Sequence, residues 1–332
     1  MTIIQRNTAP TLTFRSIQNT WRTHFFTLSI TLRAQRRYTI NMASEGMSTE
    51  TRNSLFSRGD LYEKLVGETS TQLSAAALSY LPLSTYTSTT RILDSACGPG
   101  IVTKLLLSPS PPNVSVPGLP IDPPPQLTAI DLSEPMIEKY KANGSALGWT
   151  TSEAHVQDSQ DLSRFADATF DAVVMGLGIF TLNDAVAGAR EMYRVLKPGG
   201  HAVVTTWKTR RPQTLMSAAA EIIHPGGSGS KAMNLDPKWS TSEHLASVMT
   251  AGGFKAENMR LCEAAPNWRN ESLEALLEAL SSPIWTAQFC KGWSKEEMSR
   301  WTEEVEKQLT KDERDTHTLE MIAHICVAQK EH

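Results

Sequence analysis

Ile92-Leu93-Asp94-Ser95-Ala96-Cys97-Gly98-Pro99-Gly100 is the stretch whose reading decides the fold. Its first half is a short apolar run, the composition of a buried parallel strand, Arg91–Ala96. Its second half is a glycine turn, and Ile101–Leu107 continues as a helix. Gly98 and Gly100 let the backbone approach a ligand closely. The following helix N-terminus presents unpaired amides. GxG alone is a weak signal. In a dinucleotide site it runs on to GxGxxG, with the pyrophosphate on the helix N-terminus. Here the third position is Thr103, and Asp94 sits four residues before Gly98. A carboxylate at that point crowds a pyrophosphate and suits a ligand carrying an ammonium or sulfonium group.

Outward from this turn the chain alternates strand and helix. Strands are predicted at Leu127–Asp131, Ala154–Val156, Phe170–Met175 and His201–Trp207. Ser133 is placed to cap the helix after the second, with Pro135 in its first turn. A helix follows the fourth strand through about Leu196, and Lys197-Pro198-Gly199-Gly200 reads as a turn. Further on come a helix at Ser242–Ala251 and strands near Phe254–Ala264 and Leu319–Ala328. Between those last strands lie two helices, one marked by Leu273, Leu276, Leu277 and Leu280. The other is marked by Met298, Trp301 and Val305, with Ser294 and Glu297 spaced as a capping box. Asp60–Leu81 reads as a helix ahead of the first strand. Such alternation implies a mostly parallel sheet covered on both faces. Ligands bind such sheets at the carboxyl ends of the strands, where the strand order reverses.

Composition fits one or two soluble domains. The chain has 332 residues, 40% hydrophobic and 20% charged, with a formal net charge of −3. Residues 1–41 hold six Arg, no Lys and no acid; the rest carries −9. Apolar Phe14, Ile17, Trp21, Phe25, Leu28 and Leu32 form one helical stripe there. An Arg-rich, acid-free amphipathic start matches a mitochondrial transit peptide. It equally matches a disordered extension, or an upstream start codon with Met42 as the true start. Residues 1–50 are therefore set apart, and the expected location is intracellular, cytoplasmic or mitochondrial. No apolar run reaches the roughly 18 residues of a membrane span. The four cysteines, 97, 262, 290 and 326, show no CxxC pairing and argue against zinc or a disulfide framework. Residues 108–126 hold eight of the 18 prolines and read as an exposed surface insertion. Residues 268–312 form a helical insertion, a candidate substrate cap.

ILDSACGPG, AIDLSEPMI, HVQDSQDL, FDAVVMGLGIF and LKPGGHAVVTTW, in that order over about residues 55–265, resemble the class I S-adenosylmethionine-dependent methyltransferases. The ACGPG turn and the C-terminal region are similar to fungal small-molecule methyltransferases of secondary metabolism. The resemblance implies a doubly wound, Rossmann-like α/β fold over 51–332. Its mostly parallel seven-stranded sheet has helices on both faces, a helix in front and the helical insertion before the last strand. It implies S-adenosyl-L-methionine as cofactor, with Asp94 near the methionine amino group. Ala96, Gly98 and Gly100 then form the turn beneath the methionine and ribose. Asp131 takes both ribose hydroxyls, as a carboxylate with two acceptor oxygens can. Met136 packs on the adenine, Asp158 and the Ser159 amide meet its edge, and Tyr62 closes over the site.

Methyl transfer is a direct displacement, so alignment and exclusion of water are the protein's main tasks. A base is needed only where the acceptor must lose a proton. His224, read as lying in a loop after the fifth strand, is a weak candidate. The acceptor pocket is expected beside Ile179, Phe180 and Trp207. Residues 176–180 supply no acid, so no metal is expected. The acidic core and the lack of an Asn/Asp-Pro-Pro-Tyr motif argue against nucleic acid. The partner is a small molecule; the oligomeric state stays open. An NAD-dependent oxidoreductase and a catalytically silent methyltransferase-like regulator remain as alternatives.

Overall fold

The computed structural model describes residues 59–229 and 235–332. The readings of residues 1–50 and of Met42 as the start lie outside the described residues.

Strand β1, Arg91–Ser95, pairs in parallel with β2, Gln126–Asp131, on one side and β4, Phe170–Met175, on the other. With β3 (Ser152–Val156), β5 (Leu196–Arg210), β6 (Met259–Ala264) and β8 (Thr318–Gln329), the order is β3-β2-β1-β4-β5-β8-β6. The seven-stranded sheet is as expected. β8 is antiparallel to both neighbours, and a short extra strand, β7 (Asn267–Arg269), pairs with its start. The central strands are continuous apolar runs because both faces are covered; Ile92, Leu93 and Val173 are fully enclosed. The chain leaves β1 toward β2 on one side and returns as β4 on the other. The crevice therefore opens at the carboxyl ends of β1 and β4.

Helix α1, Gly59–Leu78, precedes β1, and its Gln72 is stitched to β7: the Gln72 amide donates to the Asn267 carbonyl (3.2 Å) and its oxygen accepts the Asn267 amide (2.9 Å). Helix α2 spans Ile101–Leu107 and α3 spans Glu134–Leu147. Gly100, at the start of α2, has φ +90°, and a Cβ there would sit 2.7 Å from the Tyr140 ring of α3. Only glycine meets both conditions. Ser133 stands at the N-cap of α3, but its hydroxyl makes no cap bond; the Ser133 amide donates instead to Asp131. Helix α4, Ala185–Val195, is capped by Asp184 on the Ala187 amide. β5 starts at Leu196 rather than His201, taking the expected Lys197–Gly200 turn into an irregular opening of the strand.

Helix α5, Arg211–Ile223, was not expected between β5 and α6, Ser242–Ala251. Its apolar face meets a helical layer made of α7 (Leu273–Leu280), α8 (Pro283–Phe289), α9 (Lys295–Ser299), α10 (Trp301–Lys307) and α11 (Lys311–Thr316). Leu215, Met216 and Ala219 of α5 cluster with Leu276, Trp301 and Val305 in a core distinct from that of the sheet. The Ser294/Glu297 capping box is present as expected, and Thr310/Glu313 forms a second.

The proline-rich segment differs from expectation. It is anchored, not merely exposed: Ile121 is 5% exposed, and its amide donates to the Leu106 carbonyl at 2.9 Å. Val114, Val116 and Leu119 pack against the same core. Prolines forbid a helix there, but apolar residues between them still seek burial. Among the described residues, no helix is long and apolar enough to cross a membrane.

Candidate functional site

The turn after β1 forms the floor of a crevice of about 200 Å³. Ala96, Cys97 and Gly98 enter it from β1, Asp131 and Met136 from the end of β2 and the start of α3, Asp158 and Ser159 from the segment after β3. Ser70 and Ser74 of α1 line the opposite wall. They lie four apart, hence on one helix face.

Asp131 organises the floor. One carboxylate oxygen accepts the Gly98 amide and the other the Ser133 amide, both at 2.9 Å. Burial raises its carboxyl above the ordinary range, and those two amides pull it back. Each oxygen keeps a second lone pair. Asp94 lies deeper and is completely buried. Its carboxylate accepts the Thr103 hydroxyl at 2.8 Å and the Thr103 amide at 3.2 Å. Burial pushes it up to about 7 against those bonds. Thr103, where a dinucleotide fingerprint has its third glycine, is thus committed to Asp94. It also accepts the Tyr140 hydroxyl at 3.1 Å.

Asp158 accepts both the backbone and the side-chain amide of Gln160, whose own oxygen takes the Asp184 amide. Ser159 is buried, its hydroxyl 2.9 Å from that of Ser95. The loop after β4, Gly176-Leu177-Gly178, closes the side of the crevice. A Cβ on Gly178 would lie 2.7 Å from the Ala96 Cβ, so this close approach requires glycine. The Leu177 amide donates to the Thr205 hydroxyl of β5 at 2.9 Å.

The structure brings Asp94, Ala96, Gly98, Asp131, Met136, Asp158 and Ser159 to one crevice. Gly100 stands just behind it. Tyr62 falls in the first turn of α1, and its side chain lies outside the described residues. The expected acceptor wall needs correction. Ile179 is fully enclosed and Phe180 nearly so, both in the sheet core, in a single 3-10 turn after the β4 loop. Trp207 packs on the same core and lines a separate cavity at the end of β5. His224 also needs correction. It follows α5, where its Nδ1 lies 2.6 Å from Glu297 and its ring stacks near Trp293. It bridges α5 to the capping box of α9, and no histidine lines the crevice among the described residues. Ser70, Ser74, Thr181 and Gln160 complete the site without having been foreseen; the four-residue spacing of the serines was the one available signal. None of the helices 273–316 lines the crevice.

Residues 93–204 match the family described as a methyltransferase domain. The chain is 35% identical over 122 residues to the ubiquinone/menaquinone biosynthesis C-methyltransferase UbiE of Geotalea daltonii, covering 36% of this chain and 47% of that protein. It is 28% identical over 204 residues to methyltransferase tpcH of Aspergillus fumigatus, covering 59% and 69%. The chain thus spans about half the length of the first of these relatives. Among solved structures, the YcgJ protein of Bacillus subtilis aligns with a TM-score of 0.48 at 12% identity, over 78% of this chain and 99% of its own.

Proposed function

We propose that this chain, a member of the class I S-adenosylmethionine-dependent methyltransferases, transfers a methyl group by direct displacement to an oxygen, nitrogen or carbon nucleophile of a small organic molecule. The observation that carries the reading is the crevice at the strand-order reversal, with Asp131 bonded to the Gly98 amide across its floor. The residues fit the cofactor. A Cβ on Gly98 would meet nothing within 4 Å, so the turn borders open space. The remaining lone pairs of Asp131 suit paired ribose hydroxyls. Met136 offers an apolar contact for the adenine, with Asp158 and Ser159 at its edge, and Asp94 adds acidity at the methionine end.

When bound, the sulfonium supplies a methyl group already activated for attack. The protein then has to hold, orient and keep water out. Leu177 and Leu182 make the inner wall apolar, and the buried hydroxyls of Ser70 and Ser74 are available to orient polar atoms. His224 lies on another face, beside Glu297, and is not placed to take a proton in the crevice. A role in secondary metabolism is supported by the similarity to fungal small-molecule methyltransferases. The UbiE relatives make carbon one of the acceptor atoms to test.

Calorimetry with S-adenosylhomocysteine and with NAD tests the cofactor, and untargeted mass spectrometry of a metabolite extract for +14 Da products tests the reaction. Micromolar affinity, about −8 kcal/mol, is expected for the first ligand only. Tighter binding of NAD, or cofactor binding without any methylated product, would overturn the proposal.

A further inference from the structure

The strand order gives the crevice a direction. Asp158 and Ser159 follow β3, Asp131 ends β2, and the turn at Ala96 and the loop at Gly176 follow β1 and β4. On the methyltransferase reading, on which this inference rests, the adenine and ribose lie over β3 and β2. The methionine end then lies over β1 and β4. Ser74 belongs to that end. A Cβ on Gly176 would stand 3.8 Å from the Ser74 hydroxyl oxygen and 3.8 Å from a methyl carbon of Val102, near the start of α2. Ser70 is one turn away on the same face of α1, and both serines line the crevice.

That end has two charges to receive, because the methionine moiety carries an ammonium and a carboxylate. Asp94 offers acidity for the ammonium. For the carboxylate, no Arg, Lys or His is found among the described residues that line the crevice. Other polar side chains are committed within the protein. The Thr181 hydroxyl donates to the Gly178 carbonyl at 2.7 Å, the Gln160 amide to Asp158 at 3.0 Å, and the Cys97 thiol to the Gly98 carbonyl at 3.5 Å. Ser133 and Ser159 stand on the β2 and β3 side.

Ser70 and Ser74 differ from all of these. Each is only 8% exposed, and neither hydroxyl bonds to any described residue. A helical hydroxyl can bond back to the carbonyl four residues earlier, as Thr71 does to Gly67 at 2.6 Å. These two do not. Serine is also a weaker helix former than alanine. The two hydroxyls therefore weaken α1 and stabilise nothing within the protein, as groups kept for a ligand do.

We propose that Ser70 and Ser74 hold the carboxylate of the cofactor's methionine moiety, both hydroxyls donating to it. Helix α1 is then part of the cofactor site and not only its cover. Neutral donors suit this place, since a Lys or Arg would bring a further positive charge up to the sulfonium.

The test is calorimetry on the full chain with two ligands. One is S-adenosylhomocysteine; the other is its decarboxylated counterpart, which keeps the ammonium, the thioether and the adenosine. Wild type is expected to bind the first more tightly by about ten-fold or more, the scale of a hydrogen bond to a charged group. Ser70→Ala and Ser74→Ala, combined, should bring S-adenosylhomocysteine down to the level of the decarboxylated ligand. The decarboxylated ligand should stay within about two-fold of its wild-type affinity, and the ligand-free melting temperature should equal or exceed that of wild type. Equal wild-type affinity for the two ligands, wild-type S-adenosylhomocysteine affinity in the double variant, or equal losses of both ligands would overturn the proposal. So would a lowered ligand-free melting temperature, which would show that the hydroxyls serve the fold. Any of these leaves the methyltransferase reading standing, whereas a wild type that binds neither ligand would refute that reading and this assignment with it.

Discussion

The carboxylate of Asp131 holds the amide of Gly98 at 2.9 Å, so the end of the second strand fixes the turn that follows the first. One side chain therefore shapes the floor of the crevice and offers acceptors into it. Asp131→Ala should weaken S-adenosylhomocysteine binding by roughly 1.5–3 kcal/mol, the scale of hydrogen bonds involving a charged group. It should also lower the melting temperature in the absence of ligand, because the part-buried amides of Gly98 and Ser133 lose their acceptor. Calorimetry and thermal melting measure the two effects, and wild-type cofactor affinity would remove Asp131 from the site.

Asp94 makes stability depend on pH in a defined direction. Its folded carboxyl is raised to about 7, above the ordinary value near 4. Between those values the folded state binds more protons than the unfolded one, so this group's contribution falls as pH rises and is flat above 7. Asp94→Asn should match the wild type near pH 4 and be more stable at pH 8, by about 1–3 kcal/mol. Melting curves across that range check the sign; a difference that shrinks with rising pH would show the group to be ionised inside the fold.

Ile121 ties the proline-rich segment to the core. Ile121→Ala should cost about 2–4 kcal/mol, as buried aliphatic truncations do. Replacing residues 109–125 by a short Gly/Ser link should therefore lower the melting temperature, whereas a free surface loop would tolerate the change. Denaturant unfolding of both variants measures the cost, and an unchanged midpoint would show that the segment contributes nothing.

His224 sits 2.6 Å from Glu297, away from the crevice. His224→Ala should leave turnover and cofactor affinity within two-fold of wild type. Ile179→Ala should instead destabilise the whole protein by about 2–5 kcal/mol, since this side chain is completely enclosed. Steady-state kinetics alongside melting separates the two; a selective collapse of turnover in His224→Ala would restore it as a base.

Much of this architecture is legible in the residues. The strands at 91–95, 126–131 and 170–175 are apolar runs that can be buried only between two helical layers, and the Ser294/Glu297 box announces its own helix. β7 escapes because three residues carry no periodicity. α5 escapes because it opens with Arg211-Pro212-Gln213, polar enough to pass for a loop, before its apolar stripe begins. Within the site, Asp94, Gly98 and Asp131 are marked by residue type and position. Ile179, Phe180 and Trp207 belong to the sheet core for a physical reason. A large apolar side chain at a strand end satisfies core and pocket equally, and only the direction of its Cβ tells them apart. His224 drew notice by its chemistry alone, while its partner Glu297 is 73 residues away.

The paired amide bonds between Gln72 and Asn267 bear on how ligands come and go. Helix α1 carries the Ser70 and Ser74 wall, so it is the natural door of the crevice. A door latched to β7 cannot swing by itself. Either the latch opens, at a cost of about 1–3 kcal/mol for two hydrogen bonds, or β7 travels with the helix. In the first case each opening is rarer by roughly five- to 150-fold, and product release becomes a gated event whose tempo is set far from the reacting atoms.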